Sequence, residues 1–500
     1  MAKYIVSLLV AFSSISALAA PMAATSYPHK PKLVLVLVID QFRSDMITRN
    51  FSSFMPAGTS KAPGGFRYLM NQGAWFPFAE YGALQDMTCP GHATILSGSH
   101  PASTGIILND WFDRKKNKLV YCAQDDKDGL SPRRLKTTTF GDELKAVNPK
   151  SRVYAFALKD RSSIMLGGHR ADLAMWVDES SGRWATSTYY SNDLPAWAKV
   201  ANEELAKGPP PTRKEPTPLA GVKDETAVIQ TALAALKNEK LGQKGATDVL
   251  AVSLSYHDIL GHQIGPDAKD LRDFTVAEDK LVSLLLKGVA KELGSLDDVV
   301  IAMTADHGVA PDAKMAAADW KLDAAVVDGK AVGTQLGTDL QKAFGTKKSL
   351  IAGGYAFQYY LDHAAIAEAK LDAEKVEKEA KRLLLQDPSF LTVFTKSEVD
   401  AGNYPAGVVG QQVRNAYVRD LTGDIVAVLK PFHYQKGSLT THMTGWSYDR
   451  SVPLILVGKP FKPGVYSGAG VVDLAPTLSF VMGVLPPAMS EGKVLNEAIR

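Results

Sequence analysis

Cysteine is almost absent from this chain: Cys89 and Cys122 are the only two in 500 residues. An exported protein is permitted a disulfide, but a chain this large does not need one, and Cys89 reads as a small buried residue. Long apolar runs are missing too. Beyond the N-terminus, no stretch reaches the roughly 18 apolar residues of a membrane-spanning helix. Charge of one sign is also scarce, the formal net charge being +3. Without a dominant basic field, and with no aromatics interleaved in a basic run, nucleic acid is not an expected partner. No repeat of solenoid type occurs.

What is present is enough apolar material for a substantial core, 46% of residues. The length allows two or more average domains, or one large α/β domain with insertions. Residues 1–19 read as a secretory signal. Lys3 supplies the positive start, Tyr4 to Phe12 a short apolar run, and Ala17-Leu18-Ala19 a cleavage site. The remainder, 26–500, reads as one catalytic domain with insertions at about 110–225 and 310–436.

Five stretches have the length and composition of buried strands: 32–39 (KLVLVLVI), 152–158 (RVYAFAL), 248–255 (DVLAVSLS), 298–304 (DVVIAMT) and 452–457 (VPLILV). Helical patterns fall between them, for example at 225–237, 275–293 and 364–385. This alternation predicts an α/β fold, a mostly parallel central sheet sandwiched by helices, with inserted cap segments. Residues 207–218 are Pro-rich and read as an exposed loop. Four of the strands end on, or just before, ionisable residues: Asp40, Lys159, Asp258, and the pair Asp306-His307. In open α/β sheets the carboxyl edge is where ligands bind.

Thr88 lies in Met87-Thr88-Cys89-Pro90-Gly91-His92. Pro90 suits the first position of a helix, which puts Thr88 at or beside the N-cap. Free N–H groups and the positive dipole end there favour an anion. Taken alone, the residue is better read as an ordinary helix cap. Cys89 could be mistaken for the nucleophile, but the Cys-x-Pro-x-Arg context in which sulfatases mature a cysteine is lacking. Asp258 and His262 stand four apart, so a helix would turn both to one face. In Asp306-His307-Gly308 the glycine permits a sharp turn. His442 precedes the fifth strand. Each of these has a bland reading as a turn or a structural histidine. Together, three carboxylates, three imidazoles and a hydroxyl form a donor mixture that suits borderline metals such as zinc, and two ions would use all of it.

These residues, in this order, resemble the alkaline phosphatase superfamily, in its branch of nucleotide pyrophosphatase/phosphodiesterases and single-chain bacterial alkaline phosphatases. The resemblance rests on Val38-Ile39-Asp40, Thr88-Cys89-Pro90-Gly91-His92, Asp258-x-x-Gly261-His262-x-x-Gly265-Pro266, Thr304-Ala305-Asp306-His307-Gly308, and His442 ahead of Tyr448-Asp449. It implies two zinc ions, one held by Asp258, His262 and His442, the other by Asp40, Thr88, Asp306 and His307. It also implies in-line attack by Thr88 on phosphorus, a phosphothreonine intermediate, and its hydrolysis by water. Asn109 resembles the family asparagine that hydrogen-bonds a phosphoryl oxygen. Lys159-Asp160-Arg161 resembles the Lys-x-Arg pair of the monoesterases. A monoester dianion carries an extra charged oxygen for such a pair, where a diester carries a carbon substituent. The bland alternative is a surface pair beside Asp160. The expectation is therefore a periplasmic or secreted, monomeric zinc-dependent phosphate monoesterase acting on small phosphate monoesters. A phosphodiesterase of the same superfamily, or a non-catalytic exported binding protein, are the competing readings.

Overall fold

The computed structural model describes residues 30–208 and 215–500. The expected signal, and part of the Pro-rich loop, lie outside the described residues. The main sheet is built from β1 (Leu33–Ile39), β2 (Gly73–Glu80), β3 (Val153–Ala157), β4 (Leu173–Asp178), β5 (Arg183–Ala185), β6 (Asp248–Leu254), β7 (Val299–Thr304), β8 (Ser451–Val457) and β9 (Gly464–Val465). Their order across the sheet is β9-β2-β8-β7-β1-β6-β3-β4-β5. The centre, β7-β1-β6-β3-β4, is parallel throughout. All seven residues of β1 are fully buried, as a strand covered on both faces requires.

Helices cover the sheet in two groups. One holds α1 (Thr88–Ser97) and α2 (Asp160–Gly167), packed on each other; the other holds α3 (Pro218–Asn238), α4 (Tyr256–Ile264) and the long α5 (Lys269–Leu293). No helix of the described residues is long and apolar enough to cross a membrane.

Several expectations change in detail. The fifth predicted strand, β8, runs antiparallel to both its neighbours, β7 and β2. An apolar run reveals burial on both faces but not strand direction. The helical pattern at 364–385 is two helices, His363–Glu368 and Ala373–Leu384, each with an aspartate cap, Asp362 and Asp372. The span at about 110–225 is not wholly inserted, because β3, β4 and β5 fall within it and extend the main sheet. Its truly peripheral part begins with the hairpin Asp110–Asp113/Lys118–Tyr121. Within 310–436, the strands Ile351–Tyr355, Gln358–Leu361, Ile425–Leu429 and Phe390–Thr395 form a separate antiparallel sheet. It has its own core around Leu340, Val376, Val393 and Ile425.

Candidate active site

The parallel centre of the sheet brings its carboxyl ends to one edge, and the predicted residues meet there. Asp40 follows β1, Lys159 follows β3, Asp258 lies on α4 just beyond β6, and Asp306-His307 follow β7. His442 arrives on the loop before β8. Two clusters result: Asp258, His262 and His442, and Asp40, Asp306 and His307, the ligand atoms of each lying within 4.8 Å of one another. The clusters adjoin, because the His307 and His442 rings stack with centroids 3.6 Å apart.

The imidazoles are oriented from behind. Nδ1 of His262 lies 2.9 Å from the Thr440 carbonyl, that of His307 2.9 Å from the Gly308 carbonyl, and that of His442 2.8 Å from the Asp86 carbonyl. Each Nδ1–H is thus used as a donor, and each Nε2 lone pair faces its cluster, the arrangement of a metal-ligating histidine. In the second cluster, Asp40 Oδ1 and His307 Nε2 are buried without a hydrogen-bond partner, and Asp306 Oδ2 is approached by His92 Nδ1 at 3.1 Å. His307 Nε2 stands 3.5 Å from each of those two oxygens. Donors about 3.3 Å apart are what a tetrahedral site with bonds of about 2.0 Å needs. The donor set therefore fits a borderline dication.

Charge is crowded here. Burial, followed by the neighbouring Asp306, holds the Asp40 carboxyl well above its ordinary range, with Lys159 opposing. Burial also pushes Asp258 up, but His262 and Lys159 outweigh it and Asp258 ends well below its ordinary range. Burial and then the two other imidazoles keep His442 neutral. Lys159 joins the clusters: its ammonium bonds Asp40 Oδ2 at 2.5 Å and Asp258 Oδ2 at 2.6 Å.

Thr88 is buried and is the first residue of α1, with Met87 as the cap and Pro90 at the third helical position rather than the first. The proline is still harmless there, since the first four N–H groups of a helix have no partner within it. Gly91 lets this turn lie on the end of β7, because a Cβ there would overlap the Asp306 carbonyl oxygen. Gly308 acts the same way. It does not take up a left-handed turn; its bare Cα lets the Tyr448 carbonyl approach, and its N–H donates to the Asp449 carbonyl at 2.6 Å.

Asn109 sits against the first turn of α1, its Oδ1 accepting from the Cys89 N–H at 2.8 Å. That fixes Nδ2 as the donor end. Cys89 is not a free buried thiol: it forms a disulfide with Cys122. Arg161, in the first turn of α2, has its Nη1 3.4 Å from the Tyr121 hydroxyl.

Two residues at the site were not singled out from sequence. Gln41 adopts a left-handed backbone, φ 64°. Its backbone N–H donates to Asp306 Oδ1 at 3.0 Å and its side-chain Nε2 to Asp258 Oδ1 at 2.6 Å, so one residue braces both clusters. His92 places Nδ1 2.8 Å from the Thr88 carbonyl and 3.1 Å from Asp306 Oδ2, and Nε2 2.8 Å from Ser253 Oγ. Its spacing of four from Thr88, one helical turn, was the available signal.

The profile of the type I phosphodiesterase / nucleotide pyrophosphatase family matches residues 34–446. The chain belongs to this family. Among relatives, alkaline phosphatase PafA of Elizabethkingia meningoseptica is 28% identical, over 95% of this chain and 96% of its own length. A Myroides odoratus protein named a calcium-transporting ATPase is 30% identical, over 94% of this chain and 95% of its own. The crystal structure of wild-type PafA superposes with a TM-score of 0.86 at 27% identity, covering 94% of this chain and 99% of that one. The family's large, mostly parallel sheet flanked by helices is the architecture found here.

Proposed function

We propose that this family member is an exported zinc-dependent phosphate monoester hydrolase, an enzyme of the alkaline phosphatase type, acting through a phosphothreonine on Thr88. The observation that carries the reading is the Lys159 ammonium, seated between the two ligand clusters with Arg161 two residues on. PafA, which shares the fold along nearly its whole length, is named for the same activity.

Asp258, His262 and His442 would hold one zinc ion, and Asp40, Asp306 and His307, with Thr88, the other. Bound there, zinc lowers the pKa of the attacking hydroxyl or water and neutralises charge on the leaving oxygen. The chain's own groups do the rest. Thr88 Oγ1 attacks phosphorus in line, from the positive dipole end of α1, which favours the anion. Asn109 Nδ2 and the Arg161 guanidinium donate to non-bridging oxygens, and Lys159 supplies a point charge between the clusters. Water then attacks the phosphothreonine from the side the leaving group has vacated. Residues 1–19 direct export, the disulfide suits an oxidising compartment, and the enzyme works as a monomer.

A phosphodiesterase is the second reading, favoured by the family description itself. The test is kcat/KM for an aryl phosphate monoester and the matching diester on zinc-loaded protein. A strong monoester preference is expected; a strong diester preference would move the protein to the other branch. Thr88→Ala should lower turnover by about 10^3-fold or more with the fold intact. Undiminished turnover would remove Thr88 as nucleophile.

A further inference from the structure

The hairpin Asp110–Asp113/Lys118–Tyr121 ends in Tyr121, beside the disulfide cysteine Cys122. Three links tie this hairpin to the nucleophile turn. Cys122 is bonded to Cys89, the Cys122 N–H donates to the Asn109 carbonyl at 2.9 Å, and the Cys89 N–H donates to Asn109 Oδ1. At the other end the Tyr121 hydroxyl donates to Asp160 Oδ1 at 2.5 Å and receives Arg161 Nη1 at 3.4 Å. Asp160 Oδ1 also accepts the Arg161 N–H at 2.6 Å. Among the described residues, Arg161 Nε is buried without a hydrogen-bond partner, which leaves the Tyr121 hydroxyl as the hold on the guanidinium.

We propose that Tyr121 is a positioning residue: its hydroxyl, braced by Asp160, aims the Arg161 guanidinium at the phosphoryl group. The hairpin's links to Cys89 and Asn109 put that aim in register with Thr88. The chemistry is suited to the task. Burial holds the phenol above its ordinary range, so it stays protonated and can donate to Asp160 while accepting from Arg161. Tyr121 also packs against the apolar cluster that contains Met87, Cys89 and Trp111, which holds the ring independently of its hydroxyl. A planar fork of donors is useful only when correctly oriented, and a misplacement of about 1 Å can cost about 100-fold in rate.

The inference rests on the monoesterase reading, and its test separates the two. Tyr121→Phe keeps the ring and removes the hydroxyl. On zinc-loaded protein, kcat/KM for the aryl monoester should fall about 10-fold or more, while the diester changes by less than about 3-fold. Inhibition by inorganic phosphate should weaken in parallel, and zinc content should stay unchanged. In an Arg161→Ala background, Tyr121→Phe should cost nothing further. Asp160→Asn, which weakens the same brace from the other side, should reproduce the selective loss and serves if Tyr121→Phe folds poorly. Equal losses on both esters, or an undiminished Tyr121→Phe effect without Arg161, would overturn the proposal. If Arg161→Ala alone leaves monoester turnover and phosphate inhibition intact, it is the monoesterase reading that fails.

Discussion

Gly91 carries more of the site than its size indicates. A Cβ at this position meets the backbone of Asp306, which cannot swing aside as a flexible side chain can. Gly91→Ala should therefore push α1 away from the end of β7, moving Thr88 relative to Asp306. The overpacking should cost about 1–3 kcal/mol of stability, and the misplacement about 10-fold or more in kcat/KM. Gly437→Ala is the control, since a Cβ there meets nothing within 4 Å. Melting temperature and kcat/KM measured on both variants decide the matter. If the two variants behave alike, the close approach at Gly91 is not what seats Thr88. Lys159 is a poorer single probe, because removing it also strips a partner from Asp40 and Asp258. Arg161 bonds no carboxylate of either cluster among the described residues and is the cleaner test of ester preference.

At the scale of elements, the disulfide is the feature that composition argued against. It closes a 33-residue separation between α1 and the peripheral hairpin. Replacing both cysteines by serine should lower stability by about 2–4 kcal/mol, chiefly by freeing the unfolded chain. Thermal or denaturant unfolding of the double variant checks this; an unchanged midpoint would mean that packing alone holds the hairpin. Sequence could not decide the pairing, because it depends on where the hairpin folds back. The same limit governs the rest of what was legible. Asp40, Asp258, Asp306 and His307 could be read because an apolar strand ending in a charge is a local pattern, and a parallel sheet sends such ends to one edge. Gln41 could not, because its Asp306 partner is 265 residues away, and His92 offered only its one-turn spacing from Thr88, its Ser253 partner being 161 residues away. The direction of β8 and the break between His363–Glu368 and Ala373–Leu384 were hidden for different reasons. Direction follows from topology, whereas a capping aspartate inside a helical period is easily read through.

Across the whole molecule, the sheet concentrates three buried carboxylates, Asp40, Asp258 and Asp306, on one edge with a single lysine ammonium between them. Like charges in a water-poor setting raise the cost of folding unless cations compensate. The two clusters join strands and loops from residue 40 to residue 442, so ions bound there would clasp nearly the full length of the chain. A ligand that binds only the folded state stabilises it by about 4 kcal/mol at a thousand times its dissociation constant. Two such sites should be visible in melting. Removing metal from the zinc-loaded protein with a chelator should lower the melting temperature by about 5 °C or more. Restoring zinc should reverse the loss. Magnesium and calcium should not, because half of the donors are imidazole nitrogens rather than the oxygens those ions prefer. Differential scanning calorimetry paired with metal analysis reads this directly. A melting temperature unmoved by complete metal removal would show that Lys159 and the bracing groups, Gln41 and His92, suffice to hold the carboxylates together, and would confine any metal to turnover.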